Sequence, residues 1–203
     1  YTSDNGGNGG RSGRFLRGGK GGVWEGGSRV PLIVRGPGIT ANSWCHQRVV
    51  GYDWYPTFCQ LAGVSKPLPE GIEGGSITHL LKGESTPVKR PREELVFHFP
   101  HYQNDTPHTA LLLGNYKLFR FYEDESLHLF DLNQDIGERN NLANEKPDIV
   151  DAMAARMNQY LADVGAEFPT KKPDYDPNKP STLGSAKKKG NKGKGKGKGN
   201  KKR

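Results

Sequence analysis

The sequence predicts a mixed α/β protein in which a small antiparallel sheet is covered by one helix. Three observations carry this reading. A short apolar run, VPLIVR at 30–35, is bounded by Gly and Pro and suits a buried strand. Three strand-like segments follow at 109–113 (TALLL), 116–122 (YKLFRFY) and 127–132 (LHLFDL). A seventeen-residue stretch at 147–163 then carries apolar residues at helical spacing.

Taken in order, the first element is the 30–35 strand, closed by Gly36-Pro37-Gly38. Residues 54–62 read as a short helix, with Asp53 as its N-cap and Gly63 as its stop. Residues 64–94 are rich in Pro, Gly and charge and read as loop. Gly114-Asn115 is a tight-turn signal, so 109–122 is a hairpin. Within it Tyr116, Leu118, Arg120 and Tyr122 share one face and Lys117, Phe119 and Phe121 the other. Neither face is purely polar, which implies cover on both sides. Pro147 suits the first turn of the last helix and Gly165 its C-terminal cap. Ile149, Met153, Met157, Tyr160, Leu161 and Val164 form its apolar stripe, and the two methionines are read as packing.

Charge is unevenly placed. The formal net charge is +8, yet residues 187–203 hold ten Lys or Arg and no acid, and without them 20 basic residues face 22 acidic ones. The body is near neutral, so the overall basicity does not argue for nucleic-acid binding by the fold. Residues 171–203 are expected to be disordered; their Lys/Gly-rich end is either a solubilising extension or a tether to polyanions. No stretch reaches the ~20 apolar residues needed to span a bilayer as a helix. Two cysteines make no disulfide framework: Cys59 reads as a buried thiol on the short helix, and a bridge to Cys45 is the minor alternative.

Two blocks carry chemistry. TSDNGG at 2–7 sets Asp4 beside Asn5, whose oxygens are hard ligands suited to Ca²⁺ or Mg²⁺. LRGGKGGVWEGGSRVPLIV at 16–34 sets Lys20 among glycines, a mobile point charge suited to an oxyanion. A hard metal beside a cation describes a site for a phosphate or sulfate ester. In the same block, Glu25 and Arg29 flank two glycines and read as a structural ion pair, and Arg17 is the nearest rival cation to Lys20.

These blocks, together with DWYPTFCQLAG at 53–63 and GNYKLFRFYED…LHLFDLNQDIGERNNLA at 114–143, resemble the second half of a sulfatase. The family is that of the formylglycine-dependent arylsulfatases, with an alkaline-phosphatase-like fold. The resemblance covers roughly residues 2–170. It implies that residues 1–95 are the C-terminal part of the catalytic domain, that 96–170 are the C-terminal subdomain, and that 171–203 are the tail. It implies that Asp4 and Asn5 bind Ca²⁺ from one side and that Lys20 contacts the sulfate near the bridging oxygen. A hydrated formylglycine attacks sulfur in that family. No C-x-P-S-R or S-x-P-S-R motif, the usual source of formylglycine, occurs in the 203 residues, so the chain reads as a C-terminal fragment inactive alone.

His98 and His101, in FHFPHY, stand as either substrate-rim or packed histidines. Asn104-Asp105-Thr106 fits a glycosylation sequon, with Pro107 after it. The expected partner is a sulfate ester, with a sulfated polysaccharide as one form of it, and the resemblance implies a periplasmic or extracellular location. Two other readings remain: a phosphate or phosphonate monoester hydrolase of the same superfamily, and a non-catalytic polyanion-binding protein acting through the tail.

Overall fold

The computed structural model describes residues 1–8, 15–103 and 105–170. The expected disordered tail at 171–203 and the sequon residue Asn104 lie outside the described residues. The elements are α1 (Glu25–Ser28), a 3₁₀ turn (Gly51–Asp53), α2 (Trp54–Leu61), α3 (Thr78–Leu81), β1 (Leu95–Phe99), β2 (His108–Leu113), β3 (Tyr116–Phe121), β4 (Leu127–Asp131) and α4 (Pro147–Asp163).

The four strands form one antiparallel meander in the order β1-β2-β3-β4. Its centre is the hairpin that the Gly114-Asn115 signal predicts. Gly114 sits at φ 54°, the conformation a glycine supplies at the first central position of a two-residue loop. Register then sorts the side chains. Leu111 lies opposite Leu118, and Leu118 opposite Leu129, so these three share one face. Leu112, Lys117 and Phe130 line up on the other face.

The leucine face packs against α4. Leu111, Leu118 and Leu129 join Val150, Met153, Met157 and Leu161 in one buried cluster. Full burial of each such side chain contributes about 1.5–3 kcal/mol, which holds the helix to the sheet far more firmly than helix propensity alone. The helix ends in a Schellman arrangement: Ala166 N–H donates to Leu161 C=O at 2.9 Å and Gly165 N–H to Ala162 C=O at 3.1 Å. The stripe differs from expectation only at its two ends. Val150 is buried and Val164 is 51% exposed, because the chain leaves the helix at that cap. Both methionines pack, as the spacing suggests.

The opposite face is covered by Trp24 and its loop. Trp24, Leu95, Ala110, Leu112, Phe119, Phe121, Phe130 and Leu132 form the second core. The indole stacks on Phe119 at a centroid distance of 4.1 Å and meets Phe130 edge-on at 5.8 Å. Covering a meander on both sides explains why β3 shows no clean polar alternation.

Three expectations are corrected. The 30–35 run is not a buried strand: only a Thr2–Leu32 bridge forms, and Leu32 and Ile33 are 38% and 61% exposed. Among the described residues its one ladder neighbour is the Tyr1-Thr2 segment, through Ile33 N–H to Tyr1 C=O at 2.8 Å, so its apolar faces gain no cover. Asp53 does not cap α2 with its side chain. Its fully buried carboxylate instead accepts from Val50 N–H, Gly75 N–H and both Nε and Nη2 of Arg90, because a buried charge needs every lone pair engaged. Residues 64–94 are not all loop, since Thr78–Leu81 form α3, and Leu95–Phe99, to which the sequence reading assigned no element, form β1. Both cysteines are free, Cys45 exposed and Cys59 half-buried, so no bridge joins them.

Candidate functional site

The candidate site is assembled by backbone before any side chain acts. Gly6 N–H donates to Gly27 C=O at 2.8 Å and Lys20 N–H to Gly7 C=O at 3.0 Å. These bonds lay the Asp4-Asn5 segment beside the glycine loop that carries Lys20. The approach is too close for side chains: a Cβ on Gly6 would overlap the Gly26 carbonyl, and one on Gly26 would overlap the carbonyls of Arg17 and Gly18. Glycine is therefore required there by the proximity of two chain segments, the reason the sequence signal is so dense.

Asp4 is exposed, Asn5 half-buried and Lys20 exposed. The Ser3 hydroxyl donates to Asn5 C=O at 2.9 Å and fixes the turn between them. The two side chains supply at most three oxygens, all hard, against the six to eight that Ca²⁺ takes. Among the described residues no group of three or more His, Cys, Asp or Glu side chains is placed to hold a metal. The donor set therefore fits part of a hard-cation shell and not a whole one.

Beneath the loop lies a buried ion cluster. Lys117, fully buried on β3, places Nζ 2.9 Å from Glu25 Oε1 and 2.8 Å from Glu138 Oε1. The second contact meets the distance of a hydrogen bond but not its alignment, so it acts as an ion pair. Arg29 reaches Glu25 Oε2 at 3.2 Å, the structural pair expected from the sequence. The two carboxyls diverge. Burial pushes both upward, but the Lys117 ammonium and the Arg29 guanidinium more than reverse this at Glu25 and hold it below the usual value. At Glu138 burial outweighs Lys117, and the group sits above the usual range. Arg17 is not a rival for the anion site in this geometry. Its guanidinium lies 3.6 Å over the Trp24 ring and donates to Glu138 C=O at 3.1 Å.

The histidines separate. His98 has both ring nitrogens engaged, with Nδ1 at 2.7 Å from Thr109 Oγ1 and Nε2 at 2.8 Å from Glu167 C=O. Its ring ties β1 and β2 to the segment after α4, the packed arrangement that is one of its two readings. His101 is exposed on the loop between β1 and β2, edge-on to Phe99. The same loop touches the glycine loop where Trp24 Nε1–H donates to Asp105 Oδ2 at 2.7 Å. Sequence reasoning assigned nothing to His108. It is fully buried between Phe99, Phe119 and Phe121, and its Nδ1–H donates to Thr106 C=O at 2.5 Å. Its Nε2 has no hydrogen-bond partner among the described residues. Burial pushes this imidazole below its ordinary value, and the Thr106 carbonyl and Asp105 offset that only in part. A cavity of about 530 Å³ lined by Tyr102, Arg120, Tyr122 and Glu123 includes none of Asp4, Asn5, Lys20, His98 or His101.

Residues 19–166 match the family model described as N-sulphoglucosamine sulphohydrolase, C-terminal. The chain belongs to the sulfatase family. A sulfatase of Formosa agariphila is 41% identical over 175 residues, covering 79% of this chain and 31% of that protein. Human arylsulfatase A is 32% identical over 186 residues, covering 75% of this chain and 35% of that protein. A solved 2-O GAG sulfatase superposes with a TM-score of 0.57 at 25% identity, over 76% of this chain and 35% of that one. This sulfatase chain thus spans about a third of the length of the curated relatives it matches. Its architecture is that of the C-terminal part of an alkaline-phosphatase-like sulfatase, with the four-stranded meander and α4 as its smaller layer.

Among the residues that sequence reasoning missed, Lys117 had a visible signal: a lysine in an apolar strand, on the same face as Phe119 and Phe121. Glu138 had none, because its partners lie far away in the chain.

Proposed function

We propose that this chain supplies part of the active site of a sulfuric ester hydrolase. The observation that carries the reading is the pair of backbone bonds that set the Asp4-Asn5 segment against the Lys20 loop. Asp4 and Asn5 would hold one side of a Ca²⁺ ion, whose charge would help bind and polarise a sulfate group. Lys20 would lie against the ester's bridging oxygen, where negative charge grows as the S–O bond breaks. Its ammonium is a compact cation on a flexible stem, able to follow that oxygen. His101 would serve the substrate rim from the neighbouring loop. No residue of the 203 carries the formylglycine motif, so the nucleophile is assigned to none of them.

The substrate class we favour is a sulfated polysaccharide. Support comes from the 2-O GAG sulfatase among the similar structures and from the N-sulphoglucosamine family description. Such substrates lie outside the cytoplasm, and among the described residues no helix is long and apolar enough to cross a membrane. The Lys/Gly-rich end of the chain would add affinity for such a polyanion.

The deciding experiment removes a ligand. With the whole sulfatase domain assembled around these residues, Asp4→Ala is expected to lose bound calcium and nearly all turnover, and Asn5→Ala to follow less severely. Calcium content by mass spectrometry and kcat both at wild-type level in Asp4→Ala would show that the metal is held elsewhere.

A further inference from the structure

The buried ions beneath the loop have a geometry that a general core pair would not need. The glycine loop runs from the exposed Arg17 to the buried Glu25, with the exposed Lys20 between them. Both ends stand on one residue. Arg17 Nη1 donates to the Glu138 carbonyl at 3.1 Å, and the Glu25 amide donates to Glu138 Oε2 at 2.7 Å. Glu138 is itself fully buried and held at φ 53°, a conformation a non-glycine residue adopts at a cost. Lys117 comes up from the sheet and meets the carboxylates of Glu25 and Glu138 together. Its backbone is pinned on both sides, opposite Leu112 and Phe130. The ammonium therefore has a fixed origin, and it offsets at both acids the cost of burying a carboxylate.

We infer that Glu138 and Lys117 are positioning residues for Lys20, fixing both feet of its loop to the rigid β3–β4 sheet. The inference rests on the reading of Lys20 as a sulfate contact, but the clamp on the loop is a separate claim. Neither residue touches an ester, because both are fully buried. The sheet would thus act on the reaction through the height and tilt of the loop, and a loosened clamp would let Lys20 wander from the anion.

The test uses the full 203-residue chain and two variants, Glu138→Gln and Lys117→Met. Glutamine keeps the shape and the acceptor for the Glu25 amide while removing the ionic partner of Lys117. Amide hydrogen exchange is read at Gly6, Lys20 and Gly26 in the loop and at Leu111 and Leu118 in the sheet. Inorganic sulfate is titrated into the same samples, with the Lys20 Nζ resonance as the reporter. In Glu138→Gln we expect loop exchange to rise at least tenfold with sheet exchange unchanged, and the apparent sulfate affinity at Lys20 to fall at least threefold. Loop exchange at the wild-type rate in Glu138→Gln overturns the inference. So does a parallel rise in loop and sheet, or loss of the fold in both variants, since that is how a general stability pair behaves. If the wild-type chain shows no sulfate response at Lys20 while loop exchange rises in the variant, the sulfate reading fails and the clamp stands.

Discussion

Lys20 and Arg17 are three residues apart on one loop, both cationic, and the structure gives them different work. Arg17 is committed to the Trp24 face and to the Glu138 carbonyl, so its charge serves packing. Lys20 is exposed and sits where the Asp4-Asn5 segment meets the loop. In the assembled domain, Lys20→Ala is expected to lower kcat more than it raises KM, because charge on the bridging oxygen appears only in the transition state. Losing one such contact costs on the order of 3 kcal/mol, or roughly 10² in rate. Lys20→Arg should recover only part of it, since a planar fork replaces a compact charge. Steady-state kinetics on a chromogenic aryl sulfate separate the outcomes, and an unchanged kcat with a raised KM would move Lys20 to a remote binding role. At this scale the candidate site was legible in the sequence where chemistry and turn geometry coincide, as at Asp4, Asn5 and Lys20. It was not legible at Glu138, and at Lys117 only as a lysine out of place in an apolar strand face. An ion pair between residues far apart in the chain leaves no period or spacing to read, so the partners of Lys117 could not be named.

At the scale of elements, legibility followed local signals. The hairpin was announced by Gly114-Asn115 and α4 by Pro147, its stripe and Gly165, all within a few residues of the structure they specify. The 30–35 run misled because an apolar segment declares only that it seeks cover, and the cover has to come from another strand. β1 was missed for the converse reason: five residues that include His98 gain strand character only by pairing with β2. The sheet–helix layer should stand or fall on the α4 contacts. Met157 is fully buried against Leu111, Leu118 and Leu129. Met157→Ala is expected to cost about 3 kcal/mol through lost burial and a residual cavity. Urea unfolding followed by circular dichroism would read this as a lower midpoint with an unchanged slope, and a loss below about 1 kcal/mol would show that the site collapses around the smaller side chain.

For the molecule as a whole, His108 sets an acid limit. Its folded pKa lies below the ordinary 6.5 through burial, so above that value the neutral ring is present in both folded and unfolded chains and stability is unaffected by pH. As pH falls below about 6.5 the unfolded chain takes up a proton that the folded chain refuses, and stability is lost until the folded pKa is reached. His128, also lowered by burial, adds in the same direction. Unfolding free energy should therefore drop by up to about 1.4 kcal/mol per pH unit below that point through His108, with a smaller share from the less buried His128. In His108→Leu the slope between pH 6.5 and 5, measured by denaturant titration, should be shallower though not flat. An identical slope in both proteins would mean that the buried ring can take the proton without cost.

The clamp on the glycine loop also orders events in time. The meander is built from neighbouring strands, so its pairings close short loops and can form early. The bonds that shape the loop span much longer stretches of chain: 92 residues from Lys117 to Glu25, 113 from Glu25 to Glu138 and 121 from Arg17 to Glu138. Closing them costs more chain entropy, and the ammonium of Lys117 must shed water before either acid arrives. The cation-bearing loop is thus the late-ordering part of this chain. During synthesis the glycine loop emerges before the residue at 138 yet settles only after it, so the loop takes its final shape when the later layer is already in place.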